Sequence, residues 1–173
     1  GDGYGDELTG FQGDHCTYDR GFSHNDRFGC FDSDVDGWSD PDPLGLNRSA
    51  PWPAHPLGQA DAFVLDATQW NDSDDDRYGD NWAEGSWNDT RVNEVEPLGQ
   101  WVENATEPDS CPSTPGISLN DRWGCPDTDG DGWSNPDQNW TVADGGDAFA
   151  DNPSQWHDRD NDGWGDNQSV GAT

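Results

Sequence analysis

The sequence predicts an irregular, elongated tandem repeat with little regular secondary structure, stapled by disulfides and lacking a conventional hydrophobic core. Three observations predict it. Leu, Ile, Val and Phe make up only 21 of 173 residues, Gly and Pro together make up 34, and one succession of motifs occurs twice along the chain. With so few large aliphatic side chains and a formal charge of −30, a chain is expected to stay disordered. Ordering its backbone costs roughly 1–2 kcal/mol per residue, and something other than buried apolar surface has to offset that. No segment holds a 3.6-residue apolar period over three turns, so short turns and brief strands are the expected limit.

The duplication sets the order of elements. Cys16 to Cys30 reads CTYDRGFSHNDRFGC and Cys111 to Cys125 reads CPSTPGISLNDRWGC. The same offset of 95 carries DSDVDGWSDPD (32–42) onto DTDGDGWSNPD (127–137). At an offset of 86, ADAFVLDATQWNDSDDDRYGDN (60–81) matches GDAFADNPSQWHDRDNDGWGDN (146–167). Each unit therefore runs disulfide loop, Asp loop, variable connection, DAF…QW segment, second Asp loop. The expected domains are a partial loop and linker at 1–15, a first unit at 16–110 with a long insert at 82–108, and a second unit at 111–173.

The acid is concentrated in one residue type: 31 Asp against 6 Glu, with seven Arg and no Lys. The balance lacks the basic footprint of a nucleic-acid binder and would be repelled by anionic lipid. No stretch approaches the roughly 18 apolar residues of a membrane span. There is no Met and no recognisable leader, which is expected of a processed or excerpted chain.

Four loops carry Asp at positions 1, 3 and 5: Asp32, Asp34, Asp36; Asp72, Asp74, Asp76; Asp127, Asp129, Asp131; and Asp158, Asp160, Asp162. Position 9 is Asp40, Asp80, Asn135 or Asp166. Alternate carboxylates in a tight loop converge on one centre, which suits Ca²⁺ with its six to eight hard oxygens at about 2.3–2.6 Å. Position 6 is Gly37, Gly132 or Gly163, where the backbone must turn sharply, but Arg77 in the loop at 72 predicts a looser or strained turn. Position 7 would give only its backbone carbonyl, and it is always aromatic: Trp38, Tyr78, Trp133, Trp164. The EF-hand is excluded, because position 12 is Pro43, Ala83, Gln138 or Ser169 and never the bidentate Glu. Mg²⁺ is disfavoured because it rarely uses all-protein carboxylate cages. About four to eight Ca²⁺ are expected. The first residues, Asp2-Gly-Tyr4-Gly-Asp6, hold positions 5, 7 and 9 of a further loop.

These tandem DxDxDGxxD loops, interleaved with Cys and short connections, resemble thrombospondin type 3 repeats and their prokaryotic relatives over most of the chain outside 43–60 and 82–108. The resemblance implies successive loops wrapped around a string of Ca²⁺, with acidic residues beyond each loop completing or bridging sites. It extends that role to Asp42 and Asp137, and more weakly to Asp61 and Asp147, Asp66 and Asp151, and Asp14 and Asp109. The aromatic at position 7, the long inserts and the Cys placement depart from that family.

Equal spacing favours the pairs Cys16–Cys30 and Cys111–Cys125 among the three pairings open to four Cys. Each closes a loop worth roughly 3 kcal/mol in the chain-entropy model. Disulfides together with calcium loops place the chain outside the cell or on its surface. Asn-x-Ser/Thr occurs at Asn47, Asn71, Asn88, Asn104, Asn139 and Asn167, six sequons where about 1.6 are expected by chance. That excess predicts covalent N-glycans. Eleven Trp are present, and Trp38/Trp133 and Trp70/Trp156 keep register with the loops, as expected of packing. His15, His24, His55 and His157 share no motif, no nucleophile or phosphate-loop pattern is present, and no enzyme is expected.

Two functions fit. One is a structural, calcium-rigidified, glycosylated building block of a fibre, stalk or surface layer, whose partners are copies of itself joined head to tail through the unfinished loop at Asp2–Asp6. The other is a calcium-dependent adhesion or carbohydrate-binding module, for which an open cluster of Trp82, Trp87 and Trp101 would speak.

Overall fold

The computed structural model describes residues 2–7, 9–46, 51–83 and 98–167. Among these there is no helix and no extended strand, only turns, bends and the isolated bridges Gly5–Gly13, Asp42–Trp52, Ala54–Ala60 and Trp82–Trp101. The cause is local. Asp side chains accept the backbone N–H two residues on, at Asp14–Cys16, Asp36–Trp38, Asp61–Phe63, Asp109–Cys111, Asp131–Trp133 and Asp147–Phe149. Each such turn gives the backbone an alternative to a helix or a ladder.

The chain forms two compact units, Gly1–Asp75 with Gly79–Thr106, and Asp76–Tyr78 with Glu107–Thr173. Each contains one disulfide, Cys16–Cys30 in the first and Cys111–Cys125 in the second, and no cysteine is free. Within each disulfide module a serine acts as hub. Ser23 Oγ donates to the carbonyls of Arg27 and Cys30 and accepts the Cys30 N–H at 3.0 Å. Ser118 does the same with the Arg122 carbonyl and the Cys125 N–H. The backbone passes so close at Gly21 that a Cβ there would lie 1.7 Å from the Cys30 oxygen.

The interior of the described residues is mostly polar. The buried hydrophobic side chains are Cys16, Cys30, Ala60, Trp82 and Cys125, whereas Ser23, Ser39, Asp61, Gln69, Asp80, Asn81, Asp109, Ser118, Ser134 and Asp147 are all buried. Buried polar groups need partners, and most here are satisfied by the backbone. Gln69 Oε1 accepts the Asn81 N–H at 3.0 Å while its amide donates to the carbonyls of Asn81 and Thr106. Gln155 repeats the grip on Asn167. Gly79 and Gly165 leave room for those amides, since a Cβ would sit 2.0 and 1.9 Å from the respective Gln oxygens.

Beside each Gln, a Trp packs on the first Asp loop of its unit. Trp70 stacks on Trp38 and Trp156 on Trp133, both at 6.1 Å between ring centroids. A second tie joins the disulfide module to the variable connection. Arg27 lies over the Trp52 ring at 4.8 Å and donates to Ser39 Oγ and the Asp40 carbonyl. Asp26 accepts from Ser39 and from the Trp52 indole. Arg122, Ser134, Asp121, Asn135 and Trp140 make the same set. No helix among the described residues is long and apolar enough to cross a membrane.

Candidate metal centres

All four Asp loops close by the same device. The N–H of position 9 donates to the carbonyl preceding position 1: Asp40 to Phe31, Asp80 to Asn71, Asn135 to Pro126, Asp166 to His157. The position-9 side chain then holds position 2. Asp40 accepts from the Ser33 amide and hydroxyl, Asp80 from Ser73, Asp166 from the Arg159 amide, and Asn135 pairs with Thr128. Position 9 thus closes the loop. Position 1 grips the turn: Asp32, Asp127 and Asp158 each accept the N–H of the position-6 glycine at 2.8–3.0 Å.

That turn needs left-handed backbone twice. Position 6 has φ of 100°, 95° and 85° at Gly37, Gly132 and Gly163, and Arg77 holds 82° at the same place. The loop at 72 therefore keeps its register and carries the strain expected of a side chain in that region. Position 4 is also left-handed, at Val35, Asp75, Gly130 and Asn161, a requirement the spacing did not reveal.

With positions 1 and 9 committed to the backbone, the oxygens of positions 1, 3 and 5 still converge. In each triplet Asp32/Asp34/Asp36, Asp72/Asp74/Asp76, Asp127/Asp129/Asp131 and Asp158/Asp160/Asp162, one carboxylate oxygen per residue lies within 4.8 Å of the others. The position-7 N–H of Trp38, Tyr78, Trp133 and Trp164 donates to the position-5 carboxylate.

Asp61 and Asp147 join the first loop of each unit from outside. The Asp61 N–H donates to the Ser39 carbonyl at 3.0 Å and the Asp147 N–H to that of Ser134 at 2.9 Å. Both side chains are only 1% exposed. One oxygen of each caps a turn, and the other has no hydrogen-bond partner; the same holds for Oδ2 of Asp34, Asp36, Asp129 and Asp131. Burial pushes Asp61 up to about 8, Asp36 to about 7 and Asp147 to about 6, and neighbouring loop carboxylates add to each rise. Orphaned, buried, mutually repelling carboxylate oxygens are unfavourable unless protonated or bound to a cation. The four triplets can hold metal ions, and an all-oxygen donor set of this size is compatible with Ca²⁺.

The remaining candidates have other partners. Asp42 caps the turn at Leu46, and Asp137 pairs with Arg122 at 2.7 Å while accepting the amides of Asn139 and Trp140. Asp66 holds Thr68 and Thr106, and Asp151 is exposed. Asp14 and Asp109 are buried at the entrance to their disulfides, Asp2 accepts the Tyr4 N–H, and Asp6 is exposed. Among the sequons, Asn104 and Asn139 are exposed, and Asn71 and Asn167 are half-buried, the latter donating to the Ser154 carbonyl. Asn47 and Asn88 lie outside the described residues, as does Trp87.

Sequence reasoning missed Asp26/Asp121, Ser39/Ser134 and Trp52/Trp140. The shared Asn-Asp-Arg and the Trp-Ser after each first loop were the available signals. No family model, no curated protein and no solved structure matches this chain.

Proposed function

We propose that this chain is an extracellular, calcium-binding structural glycoprotein, a repeat building block of a fibre, stalk or surface layer, similar in its loops to thrombospondin type 3 repeats. The observation that carries the reading is the set of six buried carboxylate oxygens without partners, three around Asp61 and three around Asp147. A chain that buries so many anionic oxygens and so few apolar side chains requires a divalent cation to fold, and the binding free energy becomes folding free energy. The disulfides favour an oxidising compartment, and exposed Asn104 and Asn139 are accessible to glycosylation. A calcium-dependent adhesion or carbohydrate-binding module is the second reading; of its Trp cluster, Trp82 is 1% exposed and Trp101 half-exposed.

Calorimetric calcium titration with metal analysis tests the core of the proposal. Several ions should bind per chain, and a chelator should abolish the near-ultraviolet dichroism and shift Trp emission to that of solvated indole. Retention of both signals in metal-free protein would refute it. Electron microscopy of the secreted material and glycan-array binding separate the structural role from the adhesive one.

A further inference from the structure

We propose that the Asn-Asp-Arg runs of the two disulfide loops, Asn25-Asp26-Arg27 and Asn120-Asp121-Arg122, are positioning residues for the first metal centre of each unit. Asp26 and Asp121 carry the role, by setting where the outer carboxylates Asp61 and Asp147 stand. None of these six residues touches an ion; the inference rests on the calcium reading above and adds to it the groups that hold the ligands in place.

Any backbone carbonyl of a tight Asp loop can compete for a hard cation, so the carbonyls that do not ligate it need other partners. The Asn-Asp-Arg run and its neighbours supply them. At position 5 the Asp36 and Asp131 carbonyls accept from the side-chain amides of Asn25 and Asn120, at 3.2 and 3.3 Å. At position 6 the Gly37 carbonyl takes the N–H groups of His24 and Asn25, and the Gly132 carbonyl those of Leu119 and Asn120, all at 2.8–2.9 Å. At position 9 the Asp40 and Asn135 carbonyls accept from the Arg27 and Arg122 guanidiniums, at 3.2 and 3.0 Å. Position 8 gives its carbonyl to Asp61 or Asp147. Among the described residues, the position-7 carbonyls of Trp38 and Trp133 accept no hydrogen bond.

Position 8 is where the outer carboxylate hangs, and Asp26 and Asp121 hold it. Asp26 accepts the Ser39 N–H at 3.0 Å on one oxygen and the Ser39 hydroxyl at 2.5 Å on the other. Asp121 grips Ser134 in the same way, at 2.9 and 2.6 Å. Arg27 and Arg122 donate to those hydroxyls from the other side, at 3.1 and 3.0 Å. Both serines are fully buried. A single hydrogen bond then separates the fixed serine from the residue that brings the orphaned carboxylate, so a shift of Ser39 or Ser134 is a shift of Asp61 or Asp147. The Trp52 and Trp140 indoles complete the grip by donating to Asp26 and Asp121 at 3.1 and 3.0 Å, from connections of unequal length. Asn-Asp-Arg occurs only in the two disulfide loops, and position 8 of the other two Asp loops is Gly79 or Gly165. The run, the serine and the outer aspartate thus occur together in both units. Groups that orient metal ligands without touching the ion typically change its affinity by about 10–100-fold.

Equilibrium dialysis of the 173-residue chain against graded free calcium, with metal analysis, tests this. Asp121→Asn keeps an acceptor for the Ser134 N–H and loses the one shared by its hydroxyl and the Trp140 indole. It should shift the second centre to about tenfold higher free calcium, with the calcium bound at saturation and the other sites unchanged. Asp26→Asn should do the same to the first centre alone. In Asp147→Asn chains the outer ligand is already gone, so adding Asp121→Asn should cost less than about threefold. A residue that only supports the fold would cost as much in either background, and an equal loss in both would overturn the positioning role. Should Asp121→Asn chains fail to regain the parent's near-ultraviolet dichroism in saturating calcium, Trp140→Phe removes only the indole donor and keeps a ring over Arg122. A shift of a few fold confined to the second centre then supports the role, and an unshifted isotherm overturns it. Asp121→Asn chains that bind calcium like the parent would overturn it as well and leave the calcium loops standing. A parent chain that binds no calcium would bring down the reading beneath it.

Discussion

The centre built from Asp32, Asp34, Asp36 and Asp61 and the one built from Asp127, Asp129, Asp131 and Asp147 share ligand types, spacing and the hydrogen bond that brings in the outer carboxylate. They differ in cover. The first connection, 43–60, folds back through the pairs Asp42–Trp52 and Ala54–Ala60 and buries Ala60 fully beside Asp61. The second, 138–146, turns at Thr141–Gly146 and stays mostly exposed. Burial accordingly raises Asp61 to about 8 and Asp147 only to about 6. The two outer carboxylates are equally hidden from solvent, at 1% exposure each, so the difference lies in how much of the chain surrounds them.

The largest test of that comparison is removal of the outer carboxylates. Asp61→Asn and Asp147→Asn should each weaken one calcium site on the order of 100-fold, as read by titration. In chelator at pH 8.5, with enough excluded osmolyte to restore the near-ultraviolet dichroism, the order reverses. Asp61→Asn should then melt above the parent, and Asp147→Asn should gain less, because each removes a charge that the empty site must bury. Asp151→Asn, on an exposed neighbour, should change neither readout. Equal gains from Asp61→Asn and Asp147→Asn would mean that cover does not distinguish the centres.

Proton linkage separates the two sites more finely. In the osmolyte-folded, metal-free chain at pH 7 Asp61 is mostly protonated, Asp36 about half protonated and Asp147 mostly ionised, so ion entry at the first centre should release more than one proton and at the second almost none. Calorimetry in buffers of different ionisation enthalpy would show this. For the metal-free protein, both carboxyls bind protons more tightly folded than unfolded. Their contribution is therefore fully present below pH 4 and lost as pH rises through about 6 and then about 8. Chelated protein should recover its near-ultraviolet dichroism at lower osmolyte concentration at pH 5 than at pH 8.5, and millimolar calcium should remove or invert that order.

The smallest effect concerns one backbone position. Val35 holds a φ of 66° at position 4, where the other loops place Asp75, Gly130 and Asn161. A β-branched residue is poorly suited to that region, so Val35→Asn should stabilise the calcium-loaded chain by about 1 kcal/mol. Denaturant melts would detect it without a change in calcium content.

The loops and both disulfides were legible in the sequence because fixed spacing is a one-dimensional property. So was the register of Trp38 with Trp70 and of Trp133 with Trp156. Asp61 and Asp147 were reachable only through a resemblance, since they lie 21 and 12 residues beyond position 9 of their loops. Their role depends on the N–H bonds to Ser39 and Ser134. Asp42 and Asp137, closer in sequence, accept the amides of Leu46 and of Asn139 and Trp140. Trp52 and Trp140 sit in connections of unequal length, so no alignment pairs them, and their shared contacts with Arg27/Arg122 and Asp26/Asp121 reveal the match.

The polar interior centred on Gln69, Asn81 and the buried aspartates has a thermal consequence. Unfolding exposes little new apolar surface, and apolar hydration is what raises the heat capacity of an unfolding chain. The curve of stability against temperature is correspondingly shallow, with little tendency to weaken in the cold. Cooling or warming by tens of degrees should matter less to this chain than the free calcium around it.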